Sequence, residues 1–564
     1  MPMPPDDGYG PWNPGIQSQV PKDLLHLATI FRPENVFTSI ASVTELRGLT
    51  GFGLSELAVF RPQRLALHEL LVRVTADFAV PDGTRIEDLG LNFREIARLL
   101  LSRYLEPEMN AIVGAYDRAR RDAKSIIDAA LLRLSRGWGP VHIAEFERLA
   151  AATDIAVEAA AYKALARTLS ALFATQGHAW GTKELIASMA ANLACNDFGS
   201  DRIGHAIAPL LQRAAREQGC KLLPRQEHPV VINTKGPSAS GKSTLRPLQK
   251  KLAGDIGVQW SDFALISPDI WRKQLLDYAS LGTAYKYAGA FTSDELQIVD
   301  QKLDRYMANK HRRGEMSHLL IDRFRFDSFA PDSDEAGSNL LTRFGESAYL
   351  FFMITPPEML VERAWKRGLE FGRYKAVDDT LAHAVEAYSG IPDVFFTWVR
   401  RSDKRIQFEF LDNTVRLGER PRTVAFGDNK TFNALDVKAT LDMERYARID
   451  VDAAAADLLY PDRSLLAPEK NVDFLKRCVA SFRWVNFADQ ASGRVYLRIE
   501  RGRPIVKDPA AFEIAVRVPD TLAGIRAICP DALNATVPDA QHAEYLAQDG
   551  TRSLPTLGQW GPLA

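Results

Sequence analysis

From about residue 21 to about 225, apolar residues recur at i, i+3, i+4 and i+7 with few β-branched runs. Windows 54–78, 106–134 and 141–172 read as long amphipathic helices, punctuated by turns at Pro81-Asp-Gly83 and Gly137-Trp-Gly139-Pro140. No fixed-period repeat runs through them. The pattern predicts a helical bundle over 21–225, preceded by a Pro-, Gly- and Asp-rich tail at 1–20 that reads as disordered.

At Pro224-Arg-Gln-Glu-His-Pro229 the texture changes. Short β-branched or aromatic runs at 230–234, 263–266, 319–321, 349–354 and 406–411 alternate with helical patterns such as 294–310 and 357–367. Strands alternating with helices predict a mostly parallel sheet covered on both faces, over 226–450. Beyond that the signal weakens to a helix at 472–482 and a hairpin from 495–499 and 504–506, with the chain loose from about 530. The expected fold class is therefore α/β: a parallel sheet flanked by helices, with an N-terminal all-α domain and a small α+β extension at 451–564.

Length and composition add limits. A chain of 564 residues, 46% hydrophobic and 25% charged, has core material for several domains. A formal net charge of −1 removes any global field towards nucleic acid or an anionic membrane. Cys195, Cys220, Cys478 and Cys529 are far apart with no C-x-x-C pair, so they read as buried apolar residues in a reducing compartment. The N-terminus lacks a basic-then-apolar leader and no stretch is long enough to span a bilayer, so a cytoplasmic location is expected.

The chemistry concentrates after the first strand. Gly236-Pro237-Ser238-Ala239-Ser240-Gly241-Lys242-Ser243-Thr244 follows an apolar run and opens a helical pattern. In such a loop, backbone amides and a helix N-terminus cradle phosphate oxygens. Lys242 is placed to reach the β- and γ-phosphates of ATP or GTP, and Ser243 to ligate Mg2+. Pro247, three residues beyond the loop, is expected to cost the following helix a hydrogen bond.

Three further groups suggest transfer chemistry. Asp269, just past the second strand, is a candidate base for an acceptor hydroxyl, with helix capping as its plain alternative. Arg272 shares its helix face, as a ligand for the acceptor or phosphate or as an exposed partner of Asp269 itself. Asp322 closes the third strand, the position of a carboxylate that holds Mg2+. Residues 362–375 carry five cations against two acids: Arg363, Lys366, Arg367, Arg373 and Lys375 against Glu362 and Glu370. With Gly368 and Gly372, the stretch reads as a lid over phosphates or as a solvated helix face.

Taken together, the loop, Asp269-x-x-Arg272, Leu319-Leu-Ile-Asp322, Thr355-Pro-Pro-Glu358 and the Arg363/Arg367/Arg373 segment resemble the zeta-toxin family of P-loop kinases over about 229–415. The resemblance implies that Asp269 activates a substrate hydroxyl and Arg272 contacts the substrate. It also implies that Lys242, Arg363 and Arg373 stabilise the phosphoryl group in transfer. Family members phosphorylate UDP-N-acetylglucosamine, and an effector branch phosphorylates the adenosine ribose of NAD. Here Pro268 precedes Asp269, no His-Pro follows Arg272, and Arg323-Phe324 follows Asp322, three departures around the acceptor side. Family antitoxins are small helical bundles, so the N-terminal helices read as a scaffold, an attached inhibitor or an assembly module.

The sequence thus predicts an ATP-dependent phosphotransferase acting on a small-molecule hydroxyl. A polynucleotide-end kinase and a nucleotide-gated interaction protein are the alternatives. Expected partners are a nucleoside triphosphate, a small acceptor and an antitoxin-like protein; membrane and nucleic acid are disfavoured.

Overall fold

A computed structural model describes residues 8–85, 87–134, 138–323, 341–416, 418–534, 543–546 and 554–561. The start of the expected tail, Gly137 and Phe324 lie outside the described residues. The chain forms two compact units, one of Val20–Leu222 with Pro268–Tyr306, the other of Met1–Gln19, Leu223–Ser267 and Met307–Ala564.

The first unit is helical. Its elements are α1 (Ile40–Thr50), α2 (Leu54–Leu57), α3 (Pro62–Asp77), α4 (Asp88–Leu100), α5 (Met109–Leu132), α6 (Pro140–Ala152), α7 (Ala156–Gln176), α8 (Lys183–Ala194) and α9 (Ser200–Gln218). Two of the expected long helices are split. Window 54–78 breaks over residues 58–61: Ala58 is already extended, and Pro62 holds Arg61 extended before starting α3. Window 141–172 breaks at Thr153, extended at ψ 137°, whose hydroxyl accepts from the Ile155 amide before α7 begins. Ile127, Leu131, Phe146, Leu165, Leu169 and Ile186 form a buried core, with Trp138 and Trp180 packed against it.

Residues 268–306 complete this unit. A 3-10 turn at Pro268–Trp271 leads to α11 (Arg272–Leu275), and α12 (Ala288–Phe291) is followed by α13 (Ser293–Arg312), which leaves the unit at its end. The anchor is charged and buried. Glu295 on α13 receives Arg64 Nε at 2.5 Å and bonds His68 Nε2 at 2.6 Å, both from α3. Lys302 donates to Ser200 Oγ (2.6 Å), which donates to Glu69 (2.8 Å), itself paired with Arg73. Lys302 and Arg305 are engaged with Ser200 and Asp197.

The second unit is built on one ten-stranded sheet, ordered β10-β9-β8-β7-β6-β5-β4-β1-β3-β2. The strands are β1 (Val230–Lys235), β2 (Phe263–Ile266), β3 (His318–Ile321), β4 (Ser347–Ile354), β5 (Arg405–Asp412), β6 (Arg422–Asp428), β7 (Thr431–Ala434), β8 (Trp484–Ala488), β9 (Val495–Glu500) and β10 (Arg503–Val506). β1 to β5 are mutually parallel, as the alternating pattern implied. Around them run α10 (Arg246–Asp255), α14 (Pro357–Phe371), α15 (Val377–Val399), α16 (Val437–Tyr446), α17 (Asp473–Ser481), α18 (Pro509–Ala515) and α19 (Pro519–Ile528). The fold is α/β, a mostly parallel core flanked by helices with an N-terminal helical part.

The C-terminal α+β region extends the same sheet. β5, β6 and β7 pair antiparallel and β7 pairs parallel with β8, so residues past 450 share one core with the central strands. Phe395, Phe408, Phe410, Phe432, Phe474 and Phe482 stack beneath that junction at centroid separations of 4.7 to 6.5 Å. One unit boundary, between Leu222 and Leu223, falls close to residue 225, whereas the phenylalanine core joins residues past 450 to the central strands and the Glu295 anchor places 268–306 with the helical unit.

Candidate active site

In this sheet the chain leaves β1 towards β2 and β3 on one side and later returns to β4 on the other, so β1 is a topological switch point. Open α/β sheets bind ligands outside the carboxyl ends of the strands at such a point. The loop 236–244 leaves β1 there, and the carboxyl ends of β3 (Asp322), β4 (Thr355) and β5 (Asn413) lie along the same edge. β2 is separated from β1 by β3, so the strand that precedes Asp269 is not the neighbour of the loop strand.

The loop has three residues at positive φ: Gly236 at +154°, Ala239 at +64° and Gly241 at +92°. A Cβ on Gly236 would lie 2.7 Å from Met353 Cβ, and one on Gly241 2.3 Å from Asn413 Nδ2. Both glycines are needed for close approach of β4 and β5, while Ala239 holds a left-handed conformation at a cost of about 1–2 kcal/mol. Successive amides in such conformations form an anion-binding concavity. Ser240 is fully buried and its Oγ has no hydrogen-bond partner among the described residues. A buried, unpaired hydroxyl inside the loop suits an added polar ligand.

Lys242 bridges its own loop, donating to the carbonyls of Gly236 (3.0 Å) and Pro237 (2.9 Å). Ser243 Oγ donates to Asp322 Oδ2 at 2.9 Å, joining the end of the loop to the end of β3. Thr244 Oγ1 closes the turn on Gly241 O at 2.6 Å. Lys242–Leu245 is a single 3-10 turn, and α10 starts only at Arg246. Pro247 therefore sits in the first turn of α10, where a missing amide costs nothing, and the hydrogen-bond loss expected from it does not arise.

Two residues that sequence reading passed over hold the loop from behind. Asn413 Nδ2 donates to Ser240 O at 2.7 Å, and the Asn413 amide bonds Ile354 O at 2.9 Å. Tyr388, buried on α15, brackets Thr355 by accepting from its amide (2.8 Å) and donating to its carbonyl (2.6 Å). Asn413 had a readable signal, since it follows the fifth strand as Asp322 follows the third.

The basic segment lies on α14 and just past it. Arg363 is committed to the β5 exit, donating to Asn413 O (2.7 Å) and Val415 O (3.2 Å). Burial lowers its pKa, opposed by Asp412 and Tyr388. Arg367 is half-buried on α14, and Arg373 follows the helix end. The glycines have structural reasons. A Cβ on Gly368 would come 2.6 Å from the Tyr374 ring, and Gly372 at φ +68° ends α14 in a left-handed cap.

Asp269 and Arg272 belong to the helical unit. Asp269 is exposed, and Arg272 Nε donates to its Oδ1 at 2.9 Å. The Arg272 guanidinium also donates to Gly289 O (2.6 Å) and Thr292 Oγ1 (2.8 Å), so its direction is fixed. His178 bonds Gln176 O and His205 pairs with Asp201. Among the described residues no group of three His, Cys, Asp or Glu side chains gathers to hold a metal, and no helix is long and apolar enough to cross a membrane.

Neither family models nor curated proteins match the chain. Among solved structures, one from the PezAT chromosomal toxin–antitoxin system of Streptococcus pneumoniae is similar over 36% of this chain and 74% of that one. The identity is 19% and the TM-score 0.24, too low for the likeness to bear on chemistry.

Proposed function

We propose that the chain is a phosphotransferase of zeta-toxin type. It would use ATP, or GTP, with Mg2+ to phosphorylate a hydroxyl of a small molecule such as a nucleotide sugar or NAD. The observation that carries this reading is the 2.9 Å contact between Ser243 and Asp322 at the foot of a loop with three positive-φ residues. A hydroxyl and a carboxylate meeting at a phosphate cradle are hard oxygen donors of the kind Mg2+ accepts, with water completing its shell. When bound, Mg2+ neutralises charge on the β- and γ-phosphate oxygens.

The loop amides bind the phosphates and Lys242, freed from the Gly236 and Pro237 carbonyls, follows the charge on the γ-phosphoryl group. Asp269 takes the proton of the acceptor hydroxyl as that oxygen bonds to the γ-phosphorus. The bond from the γ-phosphorus to its bridging oxygen breaks, and the nucleoside diphosphate leaves. Arg272 orients Asp269, while Arg367 and Arg373 supply positive charge near the phosphates. Arg363 acts one step back by fixing the β5 exit that carries Asn413. The helical unit is read as a scaffold, with an antitoxin-like protein as the partner to test for.

The test is incubation with γ-labelled ATP and a panel of UDP-sugars, NAD and 5′-hydroxyl oligonucleotides. Transfer to one acceptor should fall about 100- to 10,000-fold in Asp269→Asn. Label released only to water, unchanged in that variant, would refute the transferase.

A further inference from the structure

The helical unit contains a cavity of about 370 Å3 between α4 and the turn that follows α11. Arg94 and Arg98 of α4 line it from one side and Lys273 of α11 from the other. The α4 wall is fixed to α11 by Gln274 Nε2, which donates to Arg94 O at 3.1 Å. Arg94 is half-buried, and burial followed by the charge of Arg98 pushes its pKa down. Among the described residues, neither arginine's guanidinium takes an ion pair or hydrogen bond. Two arginines four apart on one helix face repel each other by a few tenths of a kcal/mol, a cost an anion would remove.

The lining carries three cations against two acids: Asp277, whose Oδ1 also accepts from the Ala279 amide at 3.0 Å, and the exposed Glu95, which partly opposes the shift at Arg94. Leu91 and Leu276 provide an apolar wall beside the charges. Two guanidinium groups on one wall, with the Lys273 ammonium on the lining over the Tyr278 ring at 5.7 Å, match a phosphate group in charge and hydrogen-bonding capacity.

We infer that this cavity binds the phosphate group of a small phosphorylated molecule, with Leu91 and Leu276 against its less polar part. The site is separate from the loop at 236–244 and stands whether or not the transferase reading holds. Lys273 lies one helical turn beyond Asp269 in the chain, so the cavity offers an anchor for the phosphate of an acceptor if that reading holds.

Isothermal titration of the full chain with pyrophosphate, inorganic phosphate and a nucleoside monophosphate tests it, in wild type and in Lys242→Ala, which impairs the loop. Saturable binding should survive Lys242→Ala and weaken about tenfold or more in Arg94→Gln/Arg98→Gln. A nucleoside monophosphate binding more tightly than inorganic phosphate would assign the apolar wall to the ligand. Equal affinities would confine recognition to the phosphate itself. Circular dichroism checks folding; if the double variant misfolds, the exposed Arg98→Gln alone decides, with a smaller loss expected. No saturable binding by wild type, undiminished binding by the arginine variants, or loss only in Lys242→Ala would overturn the inference.

Discussion

Replacing Gly241 by alanine tests the architecture of the loop more sharply than removing Lys242, because the residue contributes only backbone. At φ +92° the new side chain meets left-handed strain of about 1–2 kcal/mol. Its Cβ would lie 2.3 Å from Asn413 Nδ2, where ordinary contact begins near 3.4 Å, so the amide must move by about an ångström. That breaks the 2.7 Å bond to Ser240 O, a buried acceptor, for a further loss of about 1–3 kcal/mol. The total, about 2–5 kcal/mol, predicts nucleotide affinity reduced by about 30-fold or more. The assay is titration with a fluorescent ATP analogue and Mg2+, with circular dichroism to confirm folding. Gly219→Ala is the matched control. It has a similar φ of +66° but open space at Cβ, so it should cost about 1 kcal/mol of stability and leave affinity unchanged. Asn413→Ala should weaken binding alone, and adding Gly241→Ala should cost less than the two losses combined, because the clash has gone. Gly241→Ala binding within about threefold of wild type would refute the account of the loop.

Other groups give independent outcomes. Ser243→Ala and Asp322→Asn should each weaken the Mg2+ dependence of nucleotide binding by about 10- to 100-fold, while metal-free binding stays near wild type; equal loss in both conditions would contradict a metal role. Burial raises the Glu409 pKa to about 7, against hydrogen bonds from the Thr423 hydroxyl and the Leu557 and Gly558 amides. The folded state then keeps a proton that the unfolded chain releases above 4.5, so protection of residues 554–561 should decline from pH 4.5 to about 7, by about 3 kcal/mol at most. Hydrogen exchange corrected for intrinsic rates reads it, and Glu409→Gln should flatten the profile. In the helical unit the sign reverses. Burial pulls His68 down to about 4, helped by Lys302, so its contribution is complete above 6.5 and is lost as pH falls from 6.5 to about 4. Glu295, which burial pushes up, is nonetheless held below 4.5 by Arg64 and His68 and adds to the loss below that pH. Denaturation midpoints for the helical unit that do not fall on acidification would contradict the buried anchor.

The central strands were legible because each is a short apolar run bounded by turn residues and buried on both faces. Strand β2 matches its sequence window at both ends, and the other four extend theirs by only one or two residues. The hairpin of β9 and β10 showed as two apolar runs on either side of Arg501-Gly502, although β10 is largely exposed. β6, β7 and β8 did not: the apolar run of β6 is only Val424–Phe426, and Asn433 and Asn486 interrupt the short runs of β7 and β8. Their pairing depends on phenylalanines from four separate segments that meet only in the folded chain. Helix boundaries failed where a local event overrode the period, at Arg61-Pro62 and at the Thr153 hydroxyl.

The candidate site divides along the same line. The placement of Lys242, Ser243 and Asp322 was readable because it follows from position: a loop after one apolar strand, an acid after another. Asn413 obeys that rule at the end of β5 and was open to the same reasoning. What no periodicity encodes is the direction in which a long side chain turns. Arg363 bears the same charge whether it faces a phosphate or the carbonyls of Asn413 and Val415, and only packing against β5 decides. Arg272 likewise reads as a substrate ligand until Gly289 and Thr292, seventeen and twenty residues away, are seen to hold it. Sequence therefore locates charge along the chain with confidence only where backbone geometry also fixes its direction, and the arginines of this site are the residues for which it does not.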